Sequence, residues 1–149
     1  MTKTLFLVMD MMNDLVDEKG FSAKTYGVEV AARGVLSNTA RAIAAARAAG
    51  VPIGYVRVGF SADYRECPPN SPIFSGARSN GIFQLGTWGT EVHRDLAPQP
   101  QDFDIVKHRV SPFYGTSLEP ILRSNGIERL LLCGVSTNGV VHCGARGAH

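Results

Sequence analysis

Three groups able to do chemistry stand where apolar runs stop. Asp10 follows the run Thr4 to Met9 (TLFLVM), and Lys107 closes Asp104 to Lys107 (DIVK). The turn Gly134-Val135-Ser136-Thr137-Asn138 follows RLLLCG, which begins at Arg129. A carboxylate at the apolar mouth of a sheet has a raised pKa and can donate a proton near neutrality. A lysine beside it would keep the resting carboxylate ionised and later stabilise developing negative charge. A turn leading into a helix offers backbone N–H groups to an anion. Each group also has a plainer reading. Asp10 would be a loop-start carboxylate bonded to nearby amides, Lys107 a solvated strand-end charge, and the turn a simple link between strand and helix. Arg57 likewise ends a strand-like run.

The thiols and imidazoles offer less. Cys67, Cys133 and Cys143 are odd in number and have no paired spacing, against a disulfide framework or a CxxC site. Cys133 sits inside an apolar strand, and Cys143 reads as a packed helix residue. His93, His108, His142 and His149 show neither HxH nor HExxH spacing, so no metal is expected. Trp88, Phe113 and Tyr114 lie in glycine-bearing stretches and are candidate pocket walls. The alternative is that they cap the sheet.

The elements that must hold these groups follow a β–α–β rhythm. Thr4–Met9, Val51–Val58, Asp104–Lys107 and Arg129–Gly134 read as strands, the continuous apolar ones being of the kind buried on both faces. Residues 11–27 are polar and aperiodic and read as a long loop. A single helix is expected from about Glu29 to Ala49, because Ala32, Leu36, Ala40, Ile43 and Ala44 recur at three- and four-residue spacing and Gly50 supplies a stop. Residues 59–103 are irregular, and a loop of that length inside one domain is usually functional. Thr116-Ser-Leu-Glu119 matches a capping box opening a helix that closes at Gly126. A further helix is expected from Asn138. The rhythm predicts a three-layer α/β/α, Rossmann-like domain with a central parallel sheet, spanning residues 1–149 as one unit. In such a fold ligands sit beyond the C-terminal strand ends, where Asp10, Arg57, Lys107 and the turn after Gly134 all fall.

Composition narrows the partners. A formal charge of +2 over 149 residues, with no basic cluster, gives no reason to expect nucleic acid. The N-terminal apolar run stops at an acid after too few residues for a signal core or membrane span. Unpaired cysteines suit a reducing cytoplasm.

Three segments together resemble the isochorismatase-like (cysteine hydrolase) superfamily. LVMDMMNDL resembles its first-strand motif, with Met12 where Gln is frequent and Leu15 in place of Phe. VKHRVSPFYGTSLEPILRSNGI resembles its lysine strand, aromatic turn and capped helix, and LLLCGVSTNGVVHCGAR its nucleophile-bearing strand and turn. The resemblance implies that Asp10 and Lys107 are catalytic, within ion-pair reach at adjacent strand ends. It implies that Val135, Ser136, Thr137, Asn138 and Val140 form the anion or oxyanion support, with a cis peptide between Val135 and Ser136. The family cysteine belongs three residues after the turn threonine, and that position is Val140. Valine has no lone pair with which to attack. The chain therefore resembles the subgroup without the cysteine, to which true isochorismatases, cleaving a vinyl ether, belong. Some nicotinamidases of the family hold a metal through Asp-x-His after strand two, but GFSADYREC here has no histidine. The family domain continues with another strand and helix, so this chain is expected to be C-terminally short. Dimers or larger homo-oligomers are common in the family and are expected here.

The reading favoured by these residues is a cofactor-free hydrolase of a small vinyl ether, amide or imide, with Asp10 as general acid or base and Lys107 as its partner. Two alternatives stand beside it. One is an amidohydrolase whose nucleophile has moved to Cys143. The other is a non-catalytic protein that keeps the fold to bind a ligand.

Overall fold

The computed structural model describes residues 2–148, so His149, named above among the histidines, lies outside the described residues. Four strands, β1 (Thr4–Met9), β2 (Ile53–Val58), β3 (Phe103–Lys107) and β4 (Arg129–Gly134), form one parallel sheet in the order β3-β2-β1-β4. The helices are α1 (Asn13–Val16), α2 (Tyr26–Ala32), α3 (Val35–Ala48), α4 (Ala77–Asn80), α5 (Leu118–Asn125) and α6 (His142–Gly147).

Strand alternation builds two cores. Phe6 and Val8 of β1 face one apolar cluster with Ile53 and Tyr55 of β2 and Ile43 of α3. Leu5, Leu7 and Met9 face the other, with Val56, Ile105 and Leu118 of α5. A strand flanked on both sides has no polar face, which is why β1 is a continuous apolar run. The sheet is thus the middle of three layers, as the sequence rhythm predicts. Register aligns the strand ends. Met9 pairs with Gly134 across β1 and β4, and Val58 pairs with Lys107 across β2 and β3. Gly134 is required at its position: φ is 152°, and a Cβ there would run into the Met9 carbonyl.

Four local expectations change. The helix read as Glu29–Ala49 is two helices, α2 and α3, separated where Gly34 takes φ 56°. Alanine spacing continues across the break, so periodicity alone hides it. The stretch 11–27 is not all loop, for it contains α1, whose four residues are buried, and the start of α2. The capping box does not close. Thr116 Oγ1 accepts from the Leu118 amide at 3.2 Å, while Glu119 pairs with Arg123 at 2.6 Å instead of reaching back. The helix expected from Asn138 begins as a wide turn, Thr137–Val141, kinked at Gly139, before α6. The Val135–Ser136 peptide is cis. No helix among the described residues is long and apolar enough to cross a membrane.

Candidate active site

β1 delivers Asp10 in an unusual conformation. Its φ is +57°, the left-handed region that aspartate tolerates better than most residues. The Asp10 amide donates to the Val56 carbonyl at 2.8 Å, continuing the ladder to β2, while Oδ1 accepts from the Val58 amide at 3.2 Å. The carboxylate is thereby laid over the end of β2. Lys107, opposite Val58 in register, reaches the same spot, and its Nζ stands 2.9 Å from Asp10 Oδ2. A third contact donates Nζ to the Arg109 carbonyl at 3.1 Å.

The two residues are therefore within ion-pair reach, but not on adjacent strands. β2 lies between β1 and β3. The long lysine stem and the Val58 amide bridge that gap, which sequence order could not show.

Both members are buried, Lys107 at 1% and Asp10 at 5% exposure. Burial pushes the Asp10 carboxyl above the ordinary carboxylate range, with Lys107 and the Val58 amide pulling the other way. The carboxyl thus holds a proton more readily than a surface aspartate, which suits a group that takes up and returns one.

The pair opens onto a cavity of about 350 Å³. One wall comes from the segment after β1, through Leu15, Phe21, Ser22 and Tyr26. A second comes from the irregular middle of the chain, through Ile73, Phe74, Ile82 and Phe83, and Val110 closes the β3 side. The turn after β4 supplies Val135, Ser136, Gly139 and Val140. Val140, at the position where the family resemblance expects cysteine, thus faces the same space as the ion pair and is itself buried.

Other residues singled out in the sequence go elsewhere. Thr137 and Asn138 line a separate open cavity of about 780 Å³ with Glu29, Arg33 and His142. Trp88 is 47% exposed, beside Asn13 and Asp17 in a different depression. Tyr114 is 70% exposed, and Phe113 packs in the apolar cluster against Gly147. None of these three lines the cavity of the ion pair. Arg57 turns to Asp104 at 2.6 Å and to the Thr90 carbonyl at 2.7 Å. Cys143 is half-buried and outside the cavity lining, and burial pushes the Cys133 thiol up to about 12. Among the described residues no cluster of three or more His, Cys, Asp or Glu side chains could hold a metal ion.

Sequence reasoning missed Phe21, Ser22, Tyr26, Phe74 and Phe83 because they lie in aperiodic segments. One available signal was the Asn-Asp pair in LVMDMMNDL. Asp14 accepts from the Phe83 amide at 2.8 Å, and Asn13 donates to the Trp88 carbonyl at 2.8 Å. These two buried side chains pin the middle segment to the end of β1 and so place one wall.

Comparison with known proteins bears on the family and the fold. The isochorismatase domain model matches residues 4–149. The ureidoacrylate amidohydrolase RutB of Rhizobium rhizogenes is 33% identical over 162 residues, covering 99% of this chain and 65% of that protein. The chain therefore spans slightly less than two thirds of that relative's length. The N-carbamoylsarcosine amidase of Thermoplasma acidophilum superposes with a TM-score of 0.76 at 28% identity, covering 99% of this chain and 76% of that one. An isochorismatase family protein from Desulfovibrio vulgaris superposes at 0.85 with 27% identity, covering 99% and 75%. Fold, strand-end site and sequence match converge: this chain belongs to the isochorismatase family.

Proposed function

We propose that this chain hydrolyses an amide-type C–N bond of a small molecule without a covalent thioester. The observation that carries this reading is the buried Asp10–Lys107 pair at 2.9 Å, facing a cavity in which Val140 offers no nucleophile. Water is then the attacking group. Asp10 takes a proton from water as the oxygen bonds to the carbonyl carbon. Negative charge collects on the carbonyl oxygen, where Lys107 and backbone N–H groups of the Val135–Val140 turn stabilise it. As the tetrahedral intermediate collapses, the C–N bond breaks and the proton held by Asp10 passes to the departing nitrogen. A buried carboxyl with an upward-shifted pKa suits both transfers.

Amide cleavage is placed ahead of vinyl ether cleavage because the relatives named above are an amidohydrolase and an amidase. The Cys143 alternative lacks support in the geometry, since that thiol does not line the cavity. Self-association belongs to the same reading, with Phe21, Tyr26 and Ile73 exposed around the cavity. A sedimentation run showing only the 16.0 kDa species at micromolar concentration would remove that part.

The test is a turnover screen of small amides, ureides and imides with wild type, iodoacetamide-treated wild type and Asp10→Asn. Activity that survives alkylation and is lost in Asp10→Asn is the expected result. Inactivation that tracks modification of Cys143 would overturn the assignment.

A further inference from the structure

Resting on the reading of the Asp10–Lys107 cavity as the reactive site, we propose that Asp14 is a positioning residue of that cavity. It holds Phe83 as the seat for an apolar group of the substrate, so that binding depends on Asp14 while the chemical step does not. Asp14 does not itself line the cavity, whereas Phe83 does. Both are buried.

Phe83 takes φ 59°, in the left-handed region. A bulky side chain is rarely found there, and such a backbone persists only where its surroundings over-determine it. Here they do. The Phe83 amide donates to Asp14 Oδ2 at 2.8 Å. The Phe83 carbonyl accepts from the Phe60 amide at 2.8 Å, and the Leu85 amide donates to the Phe60 carbonyl at 2.9 Å. The Ile82 carbonyl accepts from the Tyr64 hydroxyl at 2.9 Å. The bond to Asp14 comes from the segment after β1, the others from the segment after β2. Gly89 keeps room for the carboxylate, because a Cβ there would collide with it.

The main chain of the same residue holds the facing segment. The Ser22 amide donates to the Asp14 carbonyl at 2.9 Å, and the Ser22 carbonyl in turn accepts from the Thr25 and Gly27 amides at 3.0 Å each. Ser22 and Tyr26 line the cavity, as does Leu15, the residue after Asp14. Asp14 thereby sets where Phe83 stands relative to Ser22. Asp10 is held independently, by the Val56 carbonyl and the Val58 amide. Removing the Asp14 carboxylate would leave the buried Phe83 amide without its acceptor and free the ring to leave its seat, with the reactive pair still in place.

The experiment introduces a thiol into the cavity by Val140→Cys. The full chain is alkylated with iodoacetamide or its N-phenyl derivative, and modification at position 140 is followed by peptide mapping. The phenyl ring is the probe for the seat at Phe83. With Asp14 present, the N-phenyl reagent is expected to show saturating kinetics, because it binds before it alkylates. In Asp14→Ala its half-saturation concentration should rise at least about tenfold, from the loss of the buried acceptor. The limiting rate should stay within about threefold, the signature of lost binding alone. Asp14→Asn keeps an acceptor oxygen and should bring half-saturation back to within about threefold of the original. Cys133 in β4 reports general opening of the fold, and its modification should not accelerate. Linear kinetics with Asp14 present, or an unchanged half-saturation in Asp14→Ala, overturns the proposal. So does a rise accompanied by faster modification of Cys133, which would make Asp14 a support of the fold alone. Should Asp14→Ala not fold, Phe83→Ala decides, since it removes the ring and keeps the amide; half-saturation should rise as far, and no rise overturns the proposal. Because no turnover is measured, a chain that hydrolyses nothing can still pass this test. A hydrolase dependent on Asp10 that fails it would lose this inference and keep the catalytic reading.

Discussion

Two cation–carboxylate pairs involve the edge strand β3, and they differ in almost everything except distance. Arg57 of β2 meets Asp104 of β3 at 2.6 Å on the outer side, where Asp104 is 57% exposed. Lys107 of β3 meets Asp10 beyond β1 at 2.9 Å on the inner side, with both side chains nearly out of solvent. Water screens the first pair, which leaves an ordinary surface contact. The second is shielded from water by apolar walls, so a change in the charge of either partner is felt in full by the other. Proximity of opposite charges does not make a reactive site; removal of water does. The largest expected effect follows from that difference. Asp10→Asn keeps the shape and the Val58 contact but cannot cycle a proton, and loss of general acid–base catalysis typically costs on the order of 10²–10⁴ in rate. Steady-state kinetics on whichever amide the screen identifies would check it. A variant retaining a third or more of wild-type kcat would mean that the inner pair is no more chemical than the outer one.

Lys107→Met probes the same contrast through stability. Breaking a buried pair by removing one partner typically costs about 3–5 kcal/mol, because the remaining charge is stranded. Here the stranded group can protonate. Burial already lifts the Asp10 pKa, and loss of Lys107 removes the attraction that opposed the lift. A group whose pKa is raised by folding contributes its full stability below its unfolded pKa, 3.8 for Asp10, and loses it as pH rises through the folded value. The gap between wild type and variant should therefore be narrow near pH 4 and widen toward pH 8. Urea midpoints across that interval would show it. A gap that is constant with pH would mean that the carboxyl is not titrating in the buried pair.

The same contrast explains which parts could be read from sequence. β1 is legible because burial on both faces forces an unbroken apolar run, LFLVM, while β3 and β4 are edge strands only partly buried, legible as short apolar runs that stop at a charge or at a turn. That logic found Asp10, Lys107 and the turn after Gly134. It could not reveal that β2 separates the two charged residues, because strand order depends on crossovers rather than on local pattern. It also could not reveal side-chain direction. Trp88 and Tyr114 have the composition of pocket walls yet lie outside this cavity, whereas Phe21 and Phe74 form its walls from stretches with no periodicity. Gly34 broke a helix whose alanine spacing continues on both sides, since one left-handed residue leaves the apolar repeat intact.

Val140 allows the inner region to be sharpened by adding chemistry. Val140→Cys is close in volume, and the side chain faces the cavity that contains Lys107. A thiol near an ammonium ionises more readily than a free one. The introduced thiol should react with iodoacetamide faster than Cys143. Peptide mapping after timed alkylation would report both rates in one sample. A slower reaction at position 140 than at Cys143 would show that the turn does not present this side chain to the charged pair.

The smallest effect is expected at the outer pair. Asp104→Asn removes a carboxylate that is more than half exposed, and such pairs contribute about 0–1 kcal/mol. Arg57 would keep its second contact, to the Thr90 carbonyl at 2.7 Å, so the segment anchored there should stay in place. Neither Arg57 nor Asp104 lines the cavity of the inner pair, so turnover should remain within about twofold of wild type, as befits a surface substitution with little effect on stability. Raising the ionic strength should shrink even the small stability difference, because exposed charges are screened over about 8–10 Å near physiological salt. The inner pair, measured in parallel through Lys107→Met, should be far less responsive to salt. If Asp104→Asn were instead to cost several kcal/mol or to abolish turnover, the outer pair would be coupled to the site through Arg57 and Thr90, and exposure would no longer separate the two pairs.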